Sequence, residues 1–170
     1  QFDRLADRKE RNAVTERNAV ADPVPVQDVL AAGRTVSEAD EWRLVTASGE
    51  YDVADTVVVR YQTRDGESGV DVVVPLVTDA GTVLVDRGWL ASDDTTPTPD
   101  QLPAPPAGPA TVVGWVRVDA TGDSTHVSDG STRAVSSVAI GDYLDRELLG
   151  GFLDLKSEDP APDEPLARAE

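Results

Sequence analysis

The chain has 170 residues and a formal net charge of −17, because 32 aspartates and glutamates outnumber 15 lysines and arginines. This balance opposes binding to nucleic acid or anionic lipid headgroups, since both are polyanions. The chain contains no cysteine and no methionine. It therefore has no disulfide and none of the soft ligands that copper delivery requires. The acidity itself is better explained by solubility or salt adaptation than by a cation-binding surface.

A mass of 18.0 kDa predicts one domain with a single core. No apolar run approaches the ~20 residues that a membrane-spanning helix needs. Because a complete translation product begins with methionine, we expect a mature or trimmed fragment. Residues 3–20 mix both charge signs, which predicts a solvent-facing helix ending near Asp22 and Pro23. A second short helix is predicted over 27–32, ended by Gly33.

From Glu41 onward β-branched and aromatic residues dominate, and Gly49 and other glycines mark turns between the runs. This pattern predicts a mainly β fold: an antiparallel sandwich or partly open barrel of about six to seven strands. A short helix over 142–149 is expected, ended by Gly150 and Gly151, before the last strand. The predicted strands are 42–46, 57–62, 70–77, 82–90, 111–118, 133–140 and 152–155, with 57–59 and 72–74 central because both faces are apolar.

The runs 72–77 and 83–89 flank the turn signal at 79–81 and predict a β-hairpin that ends in Arg87, Gly88 and Trp89. Arginine and tryptophan often anchor protein interfaces, so Arg87 and Trp89 are candidates for partner binding. The alternative is structural: Trp89 caps the core, and Arg87 pairs with Asp86 or Asp71.

Proline-rich residues 92–109 predict an extended surface loop, with a docking peptide as the less favoured alternative. The acidic segment 158–165 should be a mobile tether that buries no core.

Catalytic and metal sites are weakly indicated. Asp123, His126 and Ser128 form the one cluster typical of a hydrolase, but a polar loop of small residues lacks the strained turn and oxyanion hole of such a site. A haem ligand would need an apolar pocket, so a solvent-exposed loop histidine is expected. Asp119 and Asp123 lack the spacing of a calcium loop, and the carboxylates at Glu38, Asp40 and Glu41 are expected to be solvated.

Several motifs occur in one order along the whole chain. They are residues 69–76 and 83–89 of the hairpin, Glu41 and Arg43 followed by Gly49 and Tyr51, a Gly114 to Arg117 strand, and Gln1, Arg4 and Lys9 near the start. Together they resemble the surfeit locus protein one family, the cytochrome c oxidase assembly factors. The resemblance assigns structural motif positions to Glu41, Arg43, Gly49, Tyr51, Pro75, Gly88 and Gly114.

This resemblance implies the extracytoplasmic domain of a divergent bacterial member. Asp86 stands where the family usually has asparagine, and residues 121–133 replace an Asn- and Trp-bearing stretch. The resemblance implies three segments. Residues 1–22 would form a helical stalk that continues an absent membrane helix, and residues 23–156 would form the β domain. Residues 157–170 would form a tether that leads to an absent second membrane helix. The intact protein would lie in the bacterial plasma membrane.

The resemblance further implies a non-enzymatic assembly factor, a chaperone of respiratory complex IV biogenesis. Its partners would be cytochrome c oxidase subunits, subunit one first, during haem a insertion. We expect no cofactor and no metal in this fragment, with haem a contact confined to the intact membrane protein. Two alternatives remain open at this point: the loop hydrolase and a generic secreted β-domain for binding or adhesion.

Overall fold

The computed structural model describes residues 22–92, 102, 104–160 and 166. The predicted stalk over 1–22 lies almost wholly outside these residues. Single 3-10 turns cover Val26–Asp28, Glu38–Asp40, Val53–Asp55 and Asp123–Thr125, and helix α1 covers Ser137–Leu144. The strands in the described part are β1 (Val24–Pro25), β2 (Leu44–Tyr51), β3 (Val57–Val59), β4 (Gly69–Thr78), β5 (Gly81–Ala91), β6 (Ala110–Arg117), β7 (Ser131–Thr132) and β8 (Phe152–Asp159).

Five of these strands close into a barrel in the order β2, β6, β8, β5, β4 and back to β2. Strand β1 adds to β2, while β3 and β7 extend the sheet from β4. The mainly β prediction is confirmed, and the barrel is closed. Most neighbouring strands in the described part are antiparallel, whereas the pairs β1–β2, β3–β7 and β5–β8 run parallel. The long connection from β5 to β8, which contains α1, allows their parallel pairing.

The barrel closes at Gly49, where β2 passes from one partner strand to another. Residues 44–49 of β2 pair with β6, and residues 49–51 pair with β4. A Cβ atom on Gly49 would lie inside the contact distance of the Val77 carbonyl oxygen. The predicted turn at Gly49 is therefore wrong: the glycine lies within a strand, where it allows two backbones to approach closely.

Two apolar clusters lie on opposite faces of the barrel wall. Alternation along β5 sends Val83 and Val85 to the interior and Leu84 to the outer face. The interior cluster is filled from β2, β4, β5, β6 and β8 and is extended by the segment at Val26 and Leu30. The outer cluster packs β3 and α1 against the wall through Val57, Val59, Val73, Ile140, Leu148 and Phe152.

The hairpin of β4 and β5 is confirmed, but its far end is irregular. Val73 pairs with Asp86 and Asp71 with Trp89, so β5 carries one residue more than β4 between these pairs. This is a β-bulge at Arg87 and Gly88. Gly88 has φ of 135°, a backbone conformation that favours glycine.

The predicted strand over 133–140 is wrong, because helix α1 begins at Ser137. The Ser136 hydroxyl accepts a hydrogen bond from the Ala139 amide and caps the helix. The Asp119 carboxylate accepts from both the amide and the hydroxyl of Ser137. The predicted helix over 142–149 overlaps only the end of α1, which stops at Asp145 in a left-handed conformation.

Two further boundaries differ from prediction. The predicted helix over 27–32 is a single 3-10 turn, after which Ala32 forms a bridge with Leu149. The last strand continues to Asp159, beyond the predicted Leu155, so the tether cannot begin at 157. Leu166 is buried with Val72 and Val74, and the half-buried Leu102 from the proline-rich segment packs on the same cluster. The other residues of 161–170 and most of 93–103 lie outside the described part.

Within the described residues, no helix has the length and apolar character needed to cross a membrane.

The close approach at Gly49 gives a direct test of barrel closure. Gly49→Ala should lower the free energy of unfolding by about 3 kcal/mol, because strands β2 and β4 must separate to make room for the methyl group. Gly66→Ala is the control, since a Cβ atom there meets no neighbour and only the backbone φ of 78° opposes it. Urea unfolding of both variants measures the difference. If both variants lose the same free energy of unfolding, the close contact between β2 and β4 at Gly49 does not contribute to the stability of the barrel.

Candidate functional site: a carboxyl-lined cavity with an arginine–aromatic rim

A cavity of about 340 Å³ opens on the outer face of the barrel, beside the ends of β3, β4, β5 and β8. Its lining includes three carboxyl groups, called the floor of the cavity below, and three arginines. Its lining also includes Gly88 of the bulge and the apolar side chains of Val59, Val135 and Phe152. The lining aspartates and arginines are Asp71, Asp86, Asp154, Arg64, Arg117 and Arg133.

The register of the sheet brings the three carboxyl groups together. Asp86 of β5 lies directly opposite Asp154 of β8, so both side chains point to the same outer face. Asp71 of β4 lies across the bulge from them. Asp86 and Asp154 are buried, and the Asp86 carboxylate accepts a hydrogen bond of 3.0 Å from the Gly88 amide.

The pKa values of all three carboxyl groups are raised. Burial raises the pKa of Asp86 well above its ordinary value, and the neighbouring Asp71 and Asp154 carboxyls raise it further. Burial also raises the pKa of Asp71, although a hydrogen bond with Asp86 opposes the shift. For Asp154 burial again raises the pKa, against the attraction of Arg117. The floor of the cavity therefore favours a protonated carboxyl at Asp86.

Arg117 links this floor to the rim. Its guanidinium donates to Asp154 at 2.6 Å and to Glu41 at 3.4 Å, and it lies 4.2 Å from the centre of the Trp42 ring. Glu41 also accepts from the Val118 amide, which fixes the segment before β2 against the end of β6. The sequence-derived expectation of a solvated Glu41 is thus wrong, because this carboxylate is half-buried and paired.

Arg87 lies inside the barrel, away from the cavity. Its side chain is fully buried, and its guanidinium donates to the equally buried Glu158 carboxylate at 2.8 Å. The Tyr51 hydroxyl donates to the other oxygen of Glu158 at 2.7 Å, and the Tyr51 ring lies 5.4 Å from the guanidinium. Burial and the Glu158 charge raise the pKa of Tyr51, so the phenol stays protonated.

This position corrects three predictions. Arg87 does not pair with Asp86 or Asp71, because alternation places Arg87 and Asp86 on opposite faces of β5. A direct partner contact by Arg87 also conflicts with its complete burial. Glu158, assigned to a mobile tether, is an interior residue of β8.

Trp89 lies at the surface end of β5 and is half-buried. Its indole nitrogen donates to the Gln62 carbonyl at 2.6 Å, and its ring packs where a side chain on Gly69 would stand. Arg64 lies over the same ring at 5.8 Å. Trp89 is thus held in place by packing, and its role in partner binding stays a prediction.

The remaining family-motif residues occupy structural positions. Arg43 forms a half-exposed pair with Asp40 at 3.5 Å. Pro75 lies in β4, where its carbonyl accepts from the Asp52 amide at 2.8 Å. Gly114 of β6 faces β8 so closely that a Cβ atom would lie 2.8 Å from the Asp154 carbonyl oxygen.

The loop cluster around His126 has no catalytic arrangement. His126, Asp123 and Ser128 are all exposed, as expected for a loop histidine. In the part of the chain that the structure describes, the His126 imidazole has no hydrogen bond with either neighbour. The described residues also contain no group of three or more histidine, aspartate or glutamate side chains suited to a metal ion.

Sequence reasoning did not find the cavity. A signal was present in β8, where Asp154 stands between Leu153 and Leu155 and so faces away from the interior they fill. The convergence of Asp154 with Asp71 and Asp86 depends on which strands are neighbours, and spacing along the chain does not report that.

The raised pKa of Asp86 predicts a pH-dependent effect of Asp86→Asn. Since the folded-state pKa lies above the unfolded one, the bound proton stabilises wild type fully below about pH 4, and this contribution is lost as the pH rises through the folded-state pKa. Asparagine keeps the acceptor for Gly88 and cannot ionise. We therefore expect D86N to exceed wild type by about 1–2 kcal/mol in unfolding free energy at pH 8, with the advantage shrinking towards pH 4.

The control is Asp79→Asn, because Asp79 is exposed in the hairpin turn. Urea unfolding across this pH range measures both variants. An advantage of D86N that does not change with pH would contradict a titrating Asp86.

Comparison with known proteins identifies a family for this chain. The model of the SURF1 family matches residues 1–168. SURF1-like proteins of Mycobacterium bovis and Mycobacterium tuberculosis, named as uncharacterised, are 28% identical over 144 residues, which is 81% of this chain and 53% of each relative. The chain thus spans about half the length of the curated relatives it matches. Because the family match covers nearly the whole chain, the chain belongs to the SURF1 family.

Proposed function

We propose that this chain is the extracytoplasmic domain of an assembly factor for haem-copper cytochrome c oxidase. The observation that carries the proposal is the family match over residues 1–168, since the SURF1 family is a family of oxidase assembly factors. In the intact protein, the domain would be held at the plasma membrane. There it would position oxidase subunit one while haem a is inserted.

The geometry supports a role in binding and positioning. The Arg87–Glu158 pair joins β5 and β8 inside the barrel, and the cavity on the outer face presents charged and aromatic groups. Among the described residues that line the cavity, there is no serine, cysteine or histidine to act as a nucleophile or its base. Haem chemistry would belong to the membrane-embedded part, and the β domain would supply orientation and a partner surface.

Deletion of the complete gene in its host tests this proposal. We expect the haem a absorbance of isolated membranes and the amount of subunit one in assembled oxidase both to fall to a small fraction of wild type. The complete gene supplied on a plasmid should restore both. A His126→Ala copy is the matched control and should restore them equally, because His126 is an exposed loop residue. Normal haem a content in the deletion strain would contradict the proposal.

A further inference from the structure

Two arginines that have no carboxylate partner among the described residues meet beside one exposed tyrosine at the lip of the cavity. Arg60 follows β3 and Arg133 follows β7, and these strands are parallel neighbours with Val59 opposite Thr132. Both arginines therefore emerge at the same edge. Their guanidinium carbons lie 5.5 and 5.2 Å from the centre of the Tyr61 ring.

Neither arginine is neutralised within the described part of the chain. The ion pairs found there involve Arg43, Arg87, Arg117 and Arg146, but not Arg60 or Arg133. The Nε of Arg60 is buried and has no hydrogen-bond acceptor among the described residues. In a chain with a net charge of −17, two adjacent cations that no described carboxylate pairs with are a local exception.

The backbone presents Tyr61 in a fixed and strained conformation. Its φ is 63°, which is uncommon for a residue with a side chain, and the residue is 69% exposed. The flanking residues are held: the Arg60 amide donates to Thr132 at 2.8 Å, and the Gln62 amide donates to Gly69 at 3.1 Å. The ring therefore projects from a segment that is hydrogen-bonded on both sides of Tyr61.

The charge pattern behind this lip restricts the ligand. Arg133 and Gln62 also line the cavity, so the lip and the cavity are continuous. The floor of aspartates repels a phosphate that would enter it, while it accepts hydrogen bonds from an ammonium, a guanidinium or an amide. A ligand that fits both parts carries carboxylates outside and a donor inside, as a polypeptide segment does.

We propose that Arg60, Tyr61 and Arg133 form a docking site for an acidic segment of a partner protein, whose carboxylates pair with the two arginines while a neighbouring donor side chain enters the cavity. Arginine pairs with carboxylates through charge-assisted, often bidentate, hydrogen bonds, and an exposed tyrosine supplies contact area at little entropic cost. Only the identity of the partner as an oxidase subunit rests on the proposed function; the binding site itself does not.

Calorimetric titration of the 170-residue chain tests the site directly. The probe is the peptide Glu-Glu-Lys-Glu-Glu, compared with Gln-Gln-Lys-Gln-Gln. We expect the acidic peptide alone to bind, with affinity that falls as salt is raised. Arg133→Gln should weaken it about tenfold, which corresponds to about 1.4 kcal/mol. Arg34→Gln makes the same charge change at an exposed arginine away from the cavity and should leave affinity unchanged.

Three results would overturn the site. The two peptides could bind equally, neither peptide could bind, or Arg133→Gln could leave the affinity for the acidic peptide unchanged. Arg133 is exposed, so its replacement should leave the melting temperature intact, and this is measured alongside. Co-sedimentation with phosphatidylglycerol vesicles that is lost in Arg133→Gln would assign the arginines to a membrane surface instead. Loss of oxidase in the deletion strain without peptide binding would reject this site alone, whereas peptide binding with normal oxidase would reject the proposed function alone.

Discussion

The buried ion pair between Arg87 and Glu158 is the constraint on which the rest of the barrel depends. Both side chains are completely buried. The attraction between two buried charges offsets their desolvation cost only if the pair has favourable geometry and further hydrogen bonds satisfy the remaining polar atoms. Tyr51 supplies one of these bonds by donating to Glu158. The three residues come from β2, β5 and β8, so the ion pair and the Tyr51 hydrogen bond together connect three barrel strands.

Two β-bulges make this pair compatible with the surface site. On β8 an extra residue at Lys156 shifts the register, so that Glu158 lies opposite Val112 and shares its inward face. On β5 the bulge at Arg87 and Gly88 directly follows Asp86. The Arg87 side chain points inward, and the Asp86 side chain points outward to the cavity. One short stretch of β5 therefore serves the interior and the candidate site. A change in the bulge would disturb both together.

The hairpin and the mainly β class could be predicted because they depend on local features: β-branched runs and a glycine-containing turn. Closure at Gly49 could not, since it depends on two strands that are remote in sequence meeting at one residue. The run from 133 to 140 suggested a strand by composition, yet the Ser136 cap and the Asp119 contact favour a helix. The inward position of Glu158 could not be predicted, because the bulge at Lys156 breaks the two-residue alternation that strand prediction uses.

A double-mutant cycle on Arg87→Met and Glu158→Gln, followed by urea unfolding, tests the central claim most directly. Each single change leaves a buried charge or donor without its partner and should cost about 3–5 kcal/mol. The double variant should cost less than the two losses together, with a coupling above about 2 kcal/mol. Losses that add to within about 0.5 kcal/mol would contradict the account, because the two side chains would then contribute independently.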